Sequence, residues 1–113
     1  MTESQLDDFL RRAKNVTDNY ICGGAVWDEK SQFSHMLEEM TELMRANNSL
    51  EELEEGCDVI FTVLTLFHLK GYDNYAIKTS LLTTLNKIEK RSEKFKNESA
   101  LPLSTNVSEV RKD

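Results

Sequence analysis

EEMTELMRANNSLEELEEGCDVIFTVLTLFHL, from Glu38 to Leu69, is the stretch that decides how this chain folds. An acidic cluster, Glu38-Glu39-Met40-Thr41-Glu42, runs down to Asn47-Asn48. A second, Glu55-Gly56-Cys57-Asp58, follows that break and leads into an apolar run. Both clusters lie in helical patterns, where positions three or four apart share a face, so Glu39 with Glu42 and Glu55 with Asp58 project their carboxylates in pairs. A short turn at Asn47-Asn48 makes the two helices antiparallel neighbours. Counted outward from that turn, Glu42 falls level with Glu55 and Glu39 with Asp58, so the pairs are expected to face one another. Carboxylates crowded together repel and lose hydration. A divalent cation removes that cost, and all-oxygen ligands suit Mg²⁺ or Mn²⁺, which keep several waters and bind phosphate oxygens. The stretch therefore predicts phosphate chemistry on a helical scaffold.

The plain alternative is a solvated charged face, and the position of Glu38, Glu39 and Glu42 opposite the Met36/Met40 stripe agrees with it. Asp58 argues the other way. It stands one residue ahead of the apolar run, at the angle of Thr62, Thr65 and Leu69 by the roughly 100° step of a helix. No lysine or arginine lies near it in sequence to pair with a carboxylate entering a buried helix.

Outward from this stretch the chain reads as helices throughout. Thr2-x-x-Gln5 forms a capping box ahead of Leu6, Phe9, Leu10, Ala13 and Val16, predicting a helix over about residues 3–20 that Gly23-Gly24 ends. A second begins between Asp28 and Ser31, with Phe33, Met36, Leu37, Met40, Leu43 and Met44 as its apolar stripe. Ser49-x-x-Glu52 reads as the capping box of a third, closed at Gly71 by a left-handed cap. From Val59 onward this third helix is apolar nearly all round, which predicts burial on all sides. One layer of helices covers it poorly, so a homo-oligomer, dimer or tetramer, is expected. Asp73 or Asn74 caps a fourth helix over about residues 74–96, with Tyr75, Leu81, Leu82, Leu85 and Ile88 apolar and a basic end at Lys87, Lys90, Arg91, Lys94 and Lys96. Residues 97–113 hold the only proline and no periodicity, and read as a tail, disordered or packed on a neighbour, behind an all-α domain of residues 1–96.

With 113 residues the chain is one domain with a short appendage, able to bury a modest core. Its formal net charge of −6 disfavours nucleic acid or an anionic membrane as the main partner, and any anionic substrate needs metal to approach. Cys22 and Cys57 lack metal-ligand or CxxC spacing and read as reduced thiols. The polar start Met1-Thr2-Glu3-Ser4-Gln5 has no signal architecture, and the run from Val59 to Leu69 is too short to span a bilayer. A cytoplasmic location is expected, which makes Asn-x-Ser/Thr triplets such as those at Asn15 and Asn97 chance matches.

EExxE followed after a helix–turn interval by ExxD resembles the all-α nucleoside triphosphate pyrophosphohydrolases, the MazG-like family. Trp27-Asp28-Glu29-Lys30-Ser31-Gln32-Phe33 ahead of the first motif, Asp58-Val59-Ile60-Phe61 after the second, and Asn86-Lys87-Ile88-Glu89-Lys90-Arg91 on the last helix extend the similarity over about residues 25–95. The resemblance implies a four-helix fold assembling into an oligomeric bundle. It also implies Mg²⁺-dependent hydrolysis of a (deoxy)nucleoside triphosphate to the monophosphate and pyrophosphate, as a nucleotide-pool house-cleaning activity. Carried over by position, Glu39, Glu42, Glu55 and Asp58 are metal ligands, and Glu38 holds a further metal or orients the attacking water. Lys87, Lys90 and Arg91 become phosphate contacts and Asn86 a polar ligand contact, although the asparagine stands closer to the lysine than the family usually has it.

Plainer readings stand beside these. A helix C-terminus favours cations by itself, which accounts for the charges from Lys87 to Arg91. Trp27 stacks on a base or anchors a core, and Phe33 and Cys57 read as core residues. His35 and His68 read as packed or surface histidines, since no ExxH pair, as di-iron bundles require, is present. Two rival functions remain: a non-catalytic oligomeric helical interaction module, and phosphoribosyl-ATP pyrophosphohydrolase, whose usual Ser-Tyr-Thr segment is not evident here.

Overall fold

Local capping sets the helix boundaries. Thr2 Oγ1 accepts from the Gln5 N–H at 3.1 Å while Gln5 Oε1 accepts from the Thr2 N–H at 2.7 Å, the reciprocal capping box its sequence predicts. In the computed structural model, which describes residues 1–98, this box opens α1, Glu3–Cys22. Gly23 caps that helix and Gly24 turns the chain at φ 94°, a conformation with little cost only for glycine. Asp28 caps α2, Glu29–Met44, by accepting from the Ser31 N–H at 2.7 Å.

For α3, Ser49–Leu69, the cap is Asn48, whose side chain accepts from the Glu51 N–H at 2.9 Å. The box expected between Ser49 and Glu52 is not formed. Asparagine is as good a cap as serine, and using it starts the helix one residue earlier. Gly71, at φ 84°, follows the end of α3 as predicted. Asp73 caps α4, Asn74–Glu98, accepting from the Ala76 N–H at 2.8 Å, while Asn74 Oδ1 meets His68 Nε2 at 2.7 Å. α4 thus takes in Asn97 and Glu98, and the rest of the expected tail lies outside the described residues. Among the described residues the chain is all-α, with four helices, and no helix is long and apolar enough to cross a membrane.

Two compact units make up the chain, the first Met1–Lys78 and the second beginning at Thr79, within α4. In the first, α1 and α2 each pack on α3. Leu10, Ala13, Leu64 and Ile77 form the core, with Leu6, Phe9 and Phe67 packed around it. Burying each such leucine contributes about 1.5–3 kcal/mol. The Phe9 and Phe61 rings meet at 5.5 Å. Lys78 Nζ, held 3.2 Å from Glu3 and 2.9 Å from Asp7, ties the start of α4 to the start of α1. In the second unit the helical positions of Leu81, Leu82, Leu85 and Ile88 are exposed.

Several burial expectations are corrected. α2 turns only part of its apolar stripe to α3: Phe33, Leu37, Met40 and Met44 are exposed, while Met36 and Leu43 are half-buried. Gln32 is wholly buried instead, and the Glu39 side chain is 15% exposed. Leu43 approaches Gly56, its Cδ1 standing 3.9 Å from where a Cβ would sit. The tight connection between α2 and α3 fixes which side of α2 faces inward, whatever the hydrophobic period marks. Gln32 meets the cost of burial in part by donating its Nε2 to the Thr62 carbonyl at 2.8 Å. Cys57, expected in the core, is exposed and free, as is Cys22. α3 is covered on part of its circumference only: Thr62, Leu64 and Leu66 are buried, whereas Ile60 and Phe61 are exposed.

Candidate functional site

Antiparallel packing of α2 on α3 brings Glu39 and Glu42 of one helix against Glu55 of the other. Each offers a carboxylate oxygen, and these oxygens lie within 4.8 Å of one another. Glu39 and Glu55 are half-buried and Glu42 is exposed, so the cluster is open to solvent on one side. Glu39 Oε2 and Glu55 Oε2 are buried with no hydrogen-bond partner among the described residues. A buried acceptor left unpaired costs about 1–3 kcal/mol, and more when it is charged.

Burial pushes the Glu39 carboxyl above its ordinary value, and the charges of Glu42 and Asp58 push it further, with His35 partly opposing them. Burial likewise raises Glu55, aided by Glu42, Asp58 and Glu39. Among the described residues His35 is the one basic side chain within ion-pair distance of these carboxylates, and no lysine or arginine pairs with them. Hard oxygen donors, unpaired buried oxygens and an open side fit a Mg²⁺ or Mn²⁺ ion that keeps part of its water shell.

Asp58 lies outside this three-carboxylate group, but it is close enough to raise both Glu39 and Glu55. Together with Glu39 it lines an adjoining pocket of about 430 Å³. Glu38 is not brought into the cluster. Its side chain is 73% exposed, with Oε2 3.8 Å from His35 Nδ1, and it lines a surface depression beside Thr41 and Arg45.

The pocket is built by α1, α2 and α3 and the loop that carries Trp27. Tyr20, Trp27 and Phe61 give it aromatic walls, and Thr17, Thr62 and Thr65 give it hydroxyls. Trp27 is half-buried, its ring 6.2 Å from that of Tyr20 in an edge-on arrangement. Its Nε1 is buried without a hydrogen-bond partner among the described residues. His35 lines the same pocket, with Nε2 3.9 Å from Glu39 Oε1.

Tyr20 and Gln32 were not singled out by the sequence reading. For Gln32 a signal existed, because Gln32, His35 and Glu39 form a polar row at three- and four-residue spacing along α2. Asn86, Lys87, Lys90 and Arg91 belong to the second unit, where all are exposed on α4. Lys87 shares a helix face with Lys90 and Arg91. Comparison with protein-family models, with curated proteins and with solved structures finds no match to this chain.

Proposed function

We propose that this chain is a Mg²⁺-dependent nucleoside triphosphate pyrophosphohydrolase, adding water to a (deoxy)nucleoside triphosphate to give the monophosphate and pyrophosphate in nucleotide-pool house-cleaning. The observation that supports this reading best is the meeting of Glu39, Glu42 and Glu55 across α2 and α3, with two buried carboxylate oxygens unpaired among the described residues, beside a pocket walled by aromatic rings. The resemblance to MazG-like enzymes points the same way.

In this reading Glu39, Glu42 and Glu55 hold the cation, and Asp58 completes the acidic wall on the pocket side. The bound Mg²⁺ supplies neutralisation of the triphosphate charge and activation of water at neutral pH. The carboxylates draw the polyphosphate end to the cluster only when metal is present, since alone they repel it. Trp27, Tyr20 and Phe61 receive the apolar part of the nucleotide. Glu38 keeps the role that the resemblance gives it, orienting water or holding a further cation. By the same resemblance Lys87, Lys90 and Arg91 are assigned to the phosphates and Asn86 to a polar ligand contact.

A homo-oligomer, dimer or tetramer, accompanies the proposal, supported by the exposed apolar side chains of Phe33, Leu37, Met40 and Ile60. Free thiols at Cys22 and Cys57 agree with a cytoplasmic setting.

The deciding experiment incubates the protein and Mg²⁺ with common and damaged nucleoside triphosphates, scoring pyrophosphate against orthophosphate. Pyrophosphate with monophosphate is the expected result. Orthophosphate, or no product from any of them, would remove the proposal. The same exposed apolar side chains favour a second reading, a helical interaction module, in which neither Mg²⁺ nor nucleotide changes the melting temperature.

A further inference from the structure

Gln32 is wholly buried, and its Nε2 donates to the Thr62 carbonyl at 2.8 Å. Only the amino end of an amide donates to a carbonyl, so this bond fixes the orientation of the side chain. Oε1 is the end left over. It is buried, it belongs to a residue lining the pocket, and among the described residues it has no donor. Buried polar atoms are nearly always paired, and an exception calls for a cause. In the same pocket Trp27 Nε1–H is a buried donor with no acceptor among the described residues. The walls thus combine an unused acceptor, an unused donor and the aromatic surfaces of Tyr20, Trp27 and Phe61, beside carboxylates placed for a hydrated cation.

We infer that Gln32 is the specificity-determining residue of this pocket: its Oε1 accepts from a ring N–H of a nucleobase, and rings without such a donor are rejected. The inference rests on the proposed nucleotide reading for the kind of ring, and deepens it. A site built around a buried hydrogen-bonding group discriminates strongly against ligands that leave the group unpaired, far more than an apolar wall discriminates by size. Gln32 acts from the wall, through the ring, and takes no part in the chemistry at phosphorus.

Trp27 is the only tryptophan in the chain and lines the pocket, so its fluorescence reads occupancy without any need for hydrolysis. The full-length protein is titrated with the four common 2′-deoxynucleosides, and with the 2′-deoxyribosides of 2-pyrimidinone and unsubstituted purine, whose rings carry no N–H. The corresponding triphosphates with Mg²⁺ are assayed in parallel for pyrophosphate. Thymidine or 2′-deoxyguanosine, the two whose rings carry an N–H, is expected to bind about tenfold or more tightly than the donor-free ring of its own class, whereas a preference confined to 2′-deoxyadenosine or 2′-deoxycytidine, which have only exocyclic amino donors, overturns the inference. Gln32→Leu is expected to abolish that ratio, with the better ligand falling to the level of the poorer.

Pyrophosphate release together with equal affinities for the two kinds of ring overturns the inference and leaves the enzyme reading intact. A ratio that survives in Gln32→Leu does the same, leaving Gln32 a structural tie between α2 and α3. Discrimination that collapses in Gln32→Leu without pyrophosphate from any triphosphate upholds the pocket and removes the reaction. No fluorescence change with any nucleoside overturns the inference outright, and the wild-type comparison does so even where the variant fails to fold.

Discussion

Glu39 on α2 and Glu55 on α3 stand across the helix pair with carboxylate oxygens inside a 4.8 Å cluster, and each keeps its Oε2 buried without a hydrogen-bond partner among the described residues. Among the described residues no lysine or arginine forms an ion pair with either group. In the proposed reading a cation would relieve this unpaired negative charge.

Mg²⁺ is therefore expected to stabilise the metal-free protein by mass action, by about 2.7 kcal/mol at a hundred times its dissociation constant. Scanning calorimetry with and without Mg²⁺ measures this. In the double variant Glu39→Gln/Glu55→Gln the gain should vanish, and an equal gain there would place the cation elsewhere.

Single neutral substitutions separate folding from function. Glu39→Gln is expected to lower pyrophosphate release at least about a hundredfold, a loss of about 2.7 kcal/mol in transition-state stabilisation. The metal-free fold should be as stable as wild type or more so, because one of several repelling charges is gone. Asp58→Asn should act in the same direction. Full turnover in either variant, measured with Mg²⁺ and a preferred triphosphate, would contradict the assignment.

The raised proton affinities of Glu39 and Glu55 fix the sign of a pH effect. Both groups bind protons more tightly in the folded metal-free protein than at the ordinary value of 4.5. Just above pH 4.5 the folded state holds more protons than the unfolded one, so stability falls as pH rises through the folded values. Asp8, lowered by its hydrogen bond to Arg11, contributes the opposite slope. Melting temperatures of wild type and of Glu39→Gln/Glu55→Gln across this range isolate the cluster. The variant should lose the falling component, and saturating Mg²⁺ should reverse it in the wild type.

Core and stripe should respond differently to truncation. Leu10 is 1% exposed, and Leu10→Ala is expected to cost about 2–5 kcal/mol. Met44 is 81% exposed, and Met44→Ala should stay within about 0.5 kcal/mol in denaturant titration. A larger, concentration-dependent cost at Met44 would reveal a second copy covering the stripe.

The four helices were legible because caps and glycines act locally: Thr2, Asp28, Gly71 and Asp73 each mark a boundary through a bond or dihedral of the next few residues. The meeting of Glu39, Glu42 and Glu55 was legible too, since a short turn between antiparallel helices leaves little freedom in register. Facing was harder. Period alone placed Phe33 and Met40 inward, yet the inner side of α2 carries Gln32, Glu39 and Leu43. Hydrophobic spacing names a face that avoids water without naming its cover, and Gln32 is buried through a long-range bond to the Thr62 carbonyl that no local pattern encodes. The same holds for Cys57, whose helical angle matched apolar neighbours but whose side chain is exposed.

Gly56 sits in mid-helix directly after Glu55, and a methyl group there would meet Leu43 Cδ1 at an ordinary 3.9 Å. Alanine is thus tolerated by the surroundings, and in a helix interior it is favoured over glycine by about 1 kcal/mol. α3 thus sets Glu55 and Asp58 around its one glycine, at a position where alanine would hold the helix more firmly. Gly56→Ala offers a sturdier protein, and its turnover rate would report whether the acids need glycine's freedom beside them.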